Sequence, residues 1–379
     1  MKILQMVQTL DPTTGGVVRA VLLLSEEMAR QGHEVEITTL DPKDSPNETP
    51  TTLPVHELGR SNRGYGFSPY LQQWLDRHGR NYDCVIVNGC WQYSGFAAWR
   101  RFHKSPIPYY VMPHGMLDPW FKRTYALKHL KKWLYWPWGE YRILRDARAV
   151  IFTSDAERLQ ARESFWLYKV RERVAPLGVE VPLVVSTDEF FARFPQLQGK
   201  RIVLFLGRLH VKKGVDILID AFTRVAATDS SVVLVIAGPD DNPFATKMRA
   251  RATRCDLADR IVFTGMLEGD VKWGALRAAE VFILPSHQEN FALAVVEALA
   301  CGTPVLISRP INIWNEVQQD GAGFVDSDDR AGTERLLQRW FALNENERRA
   351  MRRSAANCFA KRFEIGRAAA LLLKVLTET

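Results

Sequence analysis

The chain has 379 residues, of which 46% are hydrophobic and 25% charged. Single cores stop growing at roughly 250–300 residues, so the length predicts two domains, and the composition is that of an ordinary globular protein. The net charge of +7 predicts an anionic partner (nucleotide, lipid phosphate or nucleic acid), and no apolar run approaches the ~18 residues of a membrane-spanning helix.

Residues 1–6 form a short apolar stretch broken by Gln5. It lacks the long apolar region and small-residue cleavage site of a secretory signal, so a cytoplasmic protein is expected. Further on, short β-rich runs alternate with amphipathic helical stretches, the pattern of parallel sheets covered by helices. In the first half, strands are expected at 3–10, 34–40, 84–88, 108–112 and 149–153, with a helix over 17–31 closed by Gly32. Residues 181–200, with Pro182 and Pro195, read as a linker. The second half repeats the theme, with strands at 201–206, 232–237, 261–264, 281–284 and 304–307. Helices are expected at 215–225, 245–254, 270–279 and 291–300, and a last one at 365–376. Two doubly wound Rossmann-like domains facing a central cleft are therefore predicted. Their bounds are 1–182, joined by the C-terminal helix 360–379, and 198–359. Cys84, Cys90, Cys255, Cys301 and Cys358 are odd in number, widely spaced and free of any CxxC pair, so they read as free and mostly buried thiols.

Ligands of open α/β sheets bind beyond the carboxyl ends of strands, and the chemically suggestive residues follow strands here. After 281–284 a polar loop leads into an apolar helix beginning near Asn290. A helix N-terminus offers unpaired N–H groups and partial positive charge to a phosphate. Glu289 stands at the mouth and Glu297 about two turns in, on the order of 12 Å along the axis. One carboxylate is then suited to sugar hydroxyls and the other to ribose hydroxyls, with a diphosphate between. The alternative is a helix-cap Glu and a solvated Glu; the apolar neighbours of Glu297 speak against it.

Gly207-Arg208-Leu209-His210-Val211-Lys212-Lys213-Gly214 follows strand 201–206. Its cations suit a phosphate and the charge that grows on a departing diphosphate; a basic surface turn is the alternative. Thr13-Thr14-Gly15-Gly16 permits close backbone approach to a ligand, but it is neither a dinucleotide fingerprint nor a P-loop. His114, in Pro113-His114-Gly115, ends strand 108–112 and reads either as a site residue or as a hydrogen-bonded structural histidine. Residues 120–145 crowd aromatics among lysines and arginines. Contact with an anionic membrane or a lipid-linked acceptor is expected through Trp120, Lys128, Lys131, Lys132, Trp133 and Trp136. The alternative is core aromatics with cations facing water. No nucleic-acid motif accompanies them, so nucleic-acid binding is not expected.

In this order, the motifs resemble glycosyltransferase family 4 (glycosyl transferases group 1) over nearly the whole chain. The resemblance implies the GT-B fold, with an acceptor-binding first domain and a nucleotide-sugar-binding second one. Glu289 and Glu297 match the family's paired glutamates, seven residues apart. It implies that Glu289 and the backbone at Asn290, Phe291 and Ala292 hold the donor hexose and diphosphate, and that Glu297 binds the ribose. Arg208 and Lys213, beside Gly207, match the diphosphate-binding pair; Gly16 matches the first-domain glycine loop, and His114 the histidine beside the donor sugar. Ser154 matches a strand-ending serine, and Gly238 a glycine turn near the base, where Pro239-Asp240-Asp241 departs from the pattern and leaves UDP against GDP open. Catalysis would fall to His114, Arg208, Lys213 and Glu289. The family resemblance further implies retention without an obligatory metal and no cofactor. Asp326-Ser327-Asp328 spells a metal motif of another transferase fold and is not expected to bind one. The expected activity is hexose transfer from a UDP- or GDP-sugar to a carbohydrate or lipid-linked acceptor in surface polysaccharide assembly, at or near the inner face of the plasma membrane. Alternatives are a nucleotide-sugar epimerase, a phosphorylase, or a non-catalytic sugar-nucleotide or membrane-binding protein.

Overall fold

The computed structural model describes residues 1–42, 49–59, 64–120, 122, 126–227 and 229–378. The chain divides into two compact units, Met1–Gly178 with Glu364–Thr379, and Val179–Phe363.

The first unit is built on seven parallel strands: β1 (Lys2–Met6), β2 (Glu34–Thr39), β3 (Val55–Glu57), β4 (Cys84–Asn88), β5 (Tyr109–Met112), β6 (Ala149–Phe152) and β7 (Glu172–Val174). Their order is β3-β2-β1-β4-β5-β6-β7, with Ile3 registered on Val35 at one side and on Cys84 at the other. β4, β5 and β6 are buried along their whole length, as a sheet covered on both faces requires. β1 stops at Met6, short of the expected Leu10, because the chain turns to Asp41. The Thr9 hydroxyl donates to Asp41 Oδ1 at 2.6 Å and the Leu10 N–H to Oδ2 at 2.7 Å. Helix Gly16–Arg30 buries Val18, Val21, Leu22, Ser25 and Met28, one helical face. The C-terminal helix Ile365–Glu378 packs against it.

The second unit has six parallel strands: β8 (Arg201–Leu206), β9 (Val232–Ala237), β10 (Ile261–Gly265), β11 (Val281–Leu284), β12 (Val305–Ser308) and β13 (Gly323–Asp326). The order is β10-β9-β8-β11-β12-β13. Strand order therefore reverses between β8 and β11, and in the first sheet between β1 and β4, the crevices where such sheets take ligands.

Two expectations are corrected. Residues 181–200 are not a free linker: helix Asp188–Arg193 fully buries Phe190 against helix Gly269–Ala278, where a Cβ on Gly274 would crowd the Ser186 carbonyl and Phe190. The helix expected from Phe291 starts at Leu293, because Ala292 is left-handed (φ 54°, ψ 67°) and cannot continue a helix.

Candidate active site

Two loops of the second unit are locked together at the β8/β11 switch point. The Lys212 carbonyl accepts from His287 N–H (2.7 Å) and the Ser286 hydroxyl (2.9 Å), and Lys212 Nζ donates to Gln288 Oε1 (2.8 Å). Gly214 closes the first loop at φ 67°, where a Cβ would also collide with the Pro285 carbonyl, so only glycine fits without strain. The second loop is pinned from the far side by Glu289 N–H to Pro310 O and Asn312 N–H to Glu289 O, both 3.1 Å.

This brings several predicted residues together. Lys213 Nζ lies 2.5 Å from Glu289 Oε1, both largely buried. Arg208 stands exposed on the same loop. The clustered cations show in His210, whose pKa is held below its ordinary value first by burial and then by the charges of Lys212, Arg208 and Lys213. Gly207 and Gly238 touch backbone to backbone: Gly207 N–H donates to Ala237 O at 2.9 Å, and a Cβ on Gly238 would overlap the Gly207 carbonyl. Phe291 and Ala292 are buried, Phe291 edge-on to Phe363 at 5.7 Å, so their backbone is what they can offer a ligand. Asn290 Oδ1 accepts from Asn312 Nδ2 at 3.3 Å.

Glu297 lies on helix Leu293–Ala300, closer to its start than expected, and is buried. Its Oε1 is 2.8 Å from Lys272 Nζ, a residue sequence reasoning missed. The available signal was a lone lysine in the apolar stretch Val271 to Leu276.

In the first unit, His114 follows β5 in a left-handed conformation (φ 50°), next to Gly115 at φ 77°. It is buried, with Nε2 2.9 Å from Asn88 Oδ1. Asn88 Nδ2 donates to Gln5 Oε1 at 2.8 Å, so Asn88 Oδ1 is an acceptor and His114 Nε2 carries the proton. His114 Nδ1 is buried without a hydrogen-bond partner, and burial pushes the imidazole pKa down to about 4. The loop hangs on Glu157, which the sequence did not single out. Its carboxylate accepts from Gly115 N–H (2.6 Å), Thr153 N–H (2.7 Å) and the Thr153 hydroxyl (2.8 Å). Ser154 caps helix Asp155–Ser164 by accepting from Glu157 N–H. Gly16 is the first residue of its helix, capped by Gly15 at φ 119°.

The aromatic basic segment divides. Trp136 cannot meet a membrane: it is fully buried, stacked on Phe165 at 4.3 Å, with Nε1 donating to Trp166 O at 2.8 Å. Lys132 is turned inward, 4.6 Å over the Trp91 ring, and burial lowers its pKa. Trp120 is half-buried, whereas Lys131 and Trp133 are exposed. The side chain of Lys128 lies outside the described residues. Among the described residues no helix is long and apolar enough to cross a membrane, and no group of His, Cys, Asp and Glu is placed to hold a metal.

The family model for glycosyl transferases group 1 matches residues 186–357, and that for a glycosyl transferase 4-like domain matches 15–178. D-inositol 3-phosphate glycosyltransferase of Xylanimonas cellulosilytica is 31% identical over 410 aligned positions, covering 96% of this chain and 92% of the relative. Sucrose-phosphate synthase from Thermosynechococcus elongatus superposes with a TM-score of 0.79 at 21% identity, over 99% of this chain and 98% of that one. Anabaena HepE, solved with UDP and glucose, gives a TM-score of 0.78 at 17% identity over the full length of both. At these identities the two structures speak for the fold.

Proposed function

The chain belongs to the group 1 glycosyltransferases of GT-B fold, and from that premise we propose that it moves a hexose, with retention and without a metal, from a nucleoside-diphosphate sugar to a carbohydrate or lipid-linked acceptor in surface polysaccharide assembly. The observation that supports this most is the locked loop pair. It gathers Arg208, Lys213, Glu289 and the backbone of 290–292 at one switch point of one sheet.

In this reading the donor binds the second domain, 198–359, and the acceptor the first, 1–182 with 360–379. Arg208, Lys213 and the N–H groups at the start of helix Leu293–Ala300 take the diphosphate. Lys213 then shares its charge between Glu289 and phosphate, leaving Glu289 to accept from hexose hydroxyls. Glu297, steadied by Lys272, accepts from the ribose hydroxyls. Gly238 and Gly207 let the backbone approach the nucleotide. On the first unit we assign Gly16 to phosphate contact and His114 to a sugar hydroxyl, which its unpartnered Nδ1 suits as an acceptor. The glycosidic bond breaks toward the diphosphate, whose oxygen helps take the proton of the acceptor hydroxyl as that hydroxyl attacks the same face. Arg208 and Lys213 stabilise the leaving charge. Trapping of a covalent glycosyl-enzyme on a carboxylate would refute this step.

UDP- and GDP-sugars are the donors to screen. One nucleotide should raise the melting temperature, since a ligand bound only by the native state stabilises by RT ln(1 + [L]/Kd), and Glu297→Ala should lose that shift. If no nucleotide sugar raises it, the reading fails.

A further inference from the structure

In the first unit, large exposed apolar side chains gather on two elements far apart in sequence. Helix Ala126–Tyr135 presents Leu127 (82% exposed), Leu130, Trp133 and Leu134 to solvent. The turn after helix Asp155–Ser164 presents Trp166 and Leu167, each about half exposed. The Trp133 and Trp166 rings, 5.9 Å apart, join the two into one ridge. A cavity of about 620 Å³ adjoins it, lined by Leu130, Trp133, Phe165 and Trp166 together with Lys122 and Glu163.

The turn is held from inside. Buried Trp136 donates its Nε1–H to the carbonyls of both Trp166 (2.8 Å) and Leu167 (3.2 Å). Leu167 is left-handed at φ 54°, a conformation costly for a leucine. Strain is therefore maintained at a position whose apolar side chain stays about half exposed to water. Among the described residues, packing within the unit does not account for that, and exposed apolar patches mark contact surfaces. The charge around the ridge is mainly positive, with Glu163 an exposed acid beside the cavity. Residues 120–145 carry seven lysines and arginines and one acid, Glu140, which is buried. Lys122 and Lys131 are exposed, and Arg142 lies 5.7 Å over the ring of Trp138, itself 73% exposed.

We propose that this two-element ridge docks on an anionic phospholipid bilayer. Trp133, Trp166, Leu134 and Leu167 enter the boundary between head groups and acyl chains, and Lys122 and Lys131 meet the phosphates. Trp136 is the positioning residue that holds the turn out. The inference deepens the lipid-linked acceptor of the proposed function and rests on that reading only for its purpose; docking itself needs no donor.

Flotation of the full chain without nucleotide tests it, on vesicles of phosphatidylcholine alone and of phosphatidylcholine with phosphatidylglycerol. Wild type should float with the anionic vesicles and be released by salt. Leu167→Asn is the sharpest variant, because asparagine tolerates the left-handed backbone: it should keep or raise the melting temperature while weakening flotation. Trp166→Ser with Leu167→Asn should weaken it ~10-fold or more, and Lys122→Glu with Lys131→Glu should remove the preference for anionic lipid. Wild-type flotation by the Trp166→Ser/Leu167→Asn variant overturns the proposal, as does equal binding to both vesicle types. A wild-type dimer that this variant dissociates, with no vesicle binding, assigns the ridge to a second copy and overturns it too. Nucleotide stabilisation is read separately, so loss of the donor reading leaves the vesicle result standing.

Discussion

Lys272 Nζ lies 2.8 Å from Glu297 Oε1, with side chains only 11% and 7% exposed. That pair explains how helix Leu293–Ala300 carries a carboxylate beside the buried Val296 and Ala298. Removing one partner of a buried pair strands the other charge and costs about 3–5 kcal/mol, whereas replacing both by apolar groups is often near neutral. Lys272→Met should therefore lower the urea-unfolding free energy by about 3 kcal/mol, and Lys272→Met/Glu297→Leu should recover most of it. Only the double variant should combine near-native stability with loss of nucleotide-induced thermal stabilisation. Equal destabilisation of both would contradict the pairing.

Arg208 is exposed, so Arg208→Ala should leave the melting temperature unchanged. Charge on the leaving diphosphate is largest in the transition state, so kcat should fall roughly 10²–10³-fold with little change in donor KM. Lys213→Ala differs, because it also unpairs Glu289: it should raise donor KM as well. Steady-state kinetics on the two variants separate them, and unchanged turnover in Arg208→Ala removes its assignment.

The alternation was readable over most strands because their β-rich runs are bounded by turn residues and followed by an amphipathic stretch; β3, β7 and β13 were not, because these short edge strands are only partly buried and carry no long apolar run. The 207–214 and 285–292 loops were readable because glycines and cations directly follow a buried strand. Lys272 was not, since its pairing depends on how helix Gly269–Ala278 packs beside helix Leu293–Ala300, which no local pattern encodes. Trp136 was misplaced for the same reason: composition marks 120–145 as aromatic and basic, but only the rotation of its helices decides which rings face inward. Ala292 carries no local signal for a left-handed backbone; tertiary hydrogen bonds of the loop impose it.

Acid stability should show two opposed slopes. The His114 pKa falls from 6.5 to about 4 through burial. The unfolded chain therefore takes up that proton first, and about 3 kcal/mol is lost as pH drops from 6.5 toward 4. Glu140 is raised from 4.5 to about 7 by burial, partly offset by hydrogen bonds from Trp91 N–H and Cys90 and by the Lys132 charge. Its native carboxyl takes up a proton first, so stability rises as pH falls from 7 toward 4.5. Glu140→Gln should unmask the loss due to His114, and His114→Asn, suited to φ 50°, should unmask the gain. Urea titrations at neutral and mildly acid pH check this; a wild-type pH profile in Glu140→Gln would contradict it.

Chelation should leave sugar transfer intact. Asp326-Ser327-Asp328 spells a metal motif, but its carboxylates are engaged. Arg335 grips Asp326 (Nη2 to Oδ1 2.5 Å, Nε to Oδ2 3.1 Å) and holds its pKa below the ordinary value, while Asp328 Oδ2 lies 2.8 Å from His287 Nδ1. A divalent cation would have to displace both partners, and diphosphate charge is met in the proposed site by Arg208, Lys213 and backbone N–H groups. EDTA should then leave kcat unchanged, and Asp328→Asn should behave likewise. Asp326→Asn should cost no more than about 1 kcal/mol of stability, the range of a solvent-exposed ion pair. Loss of transfer in EDTA with recovery on adding Mg²⁺ or Mn²⁺ would reverse the assignment and move the leaving-group role from Arg208 to a metal.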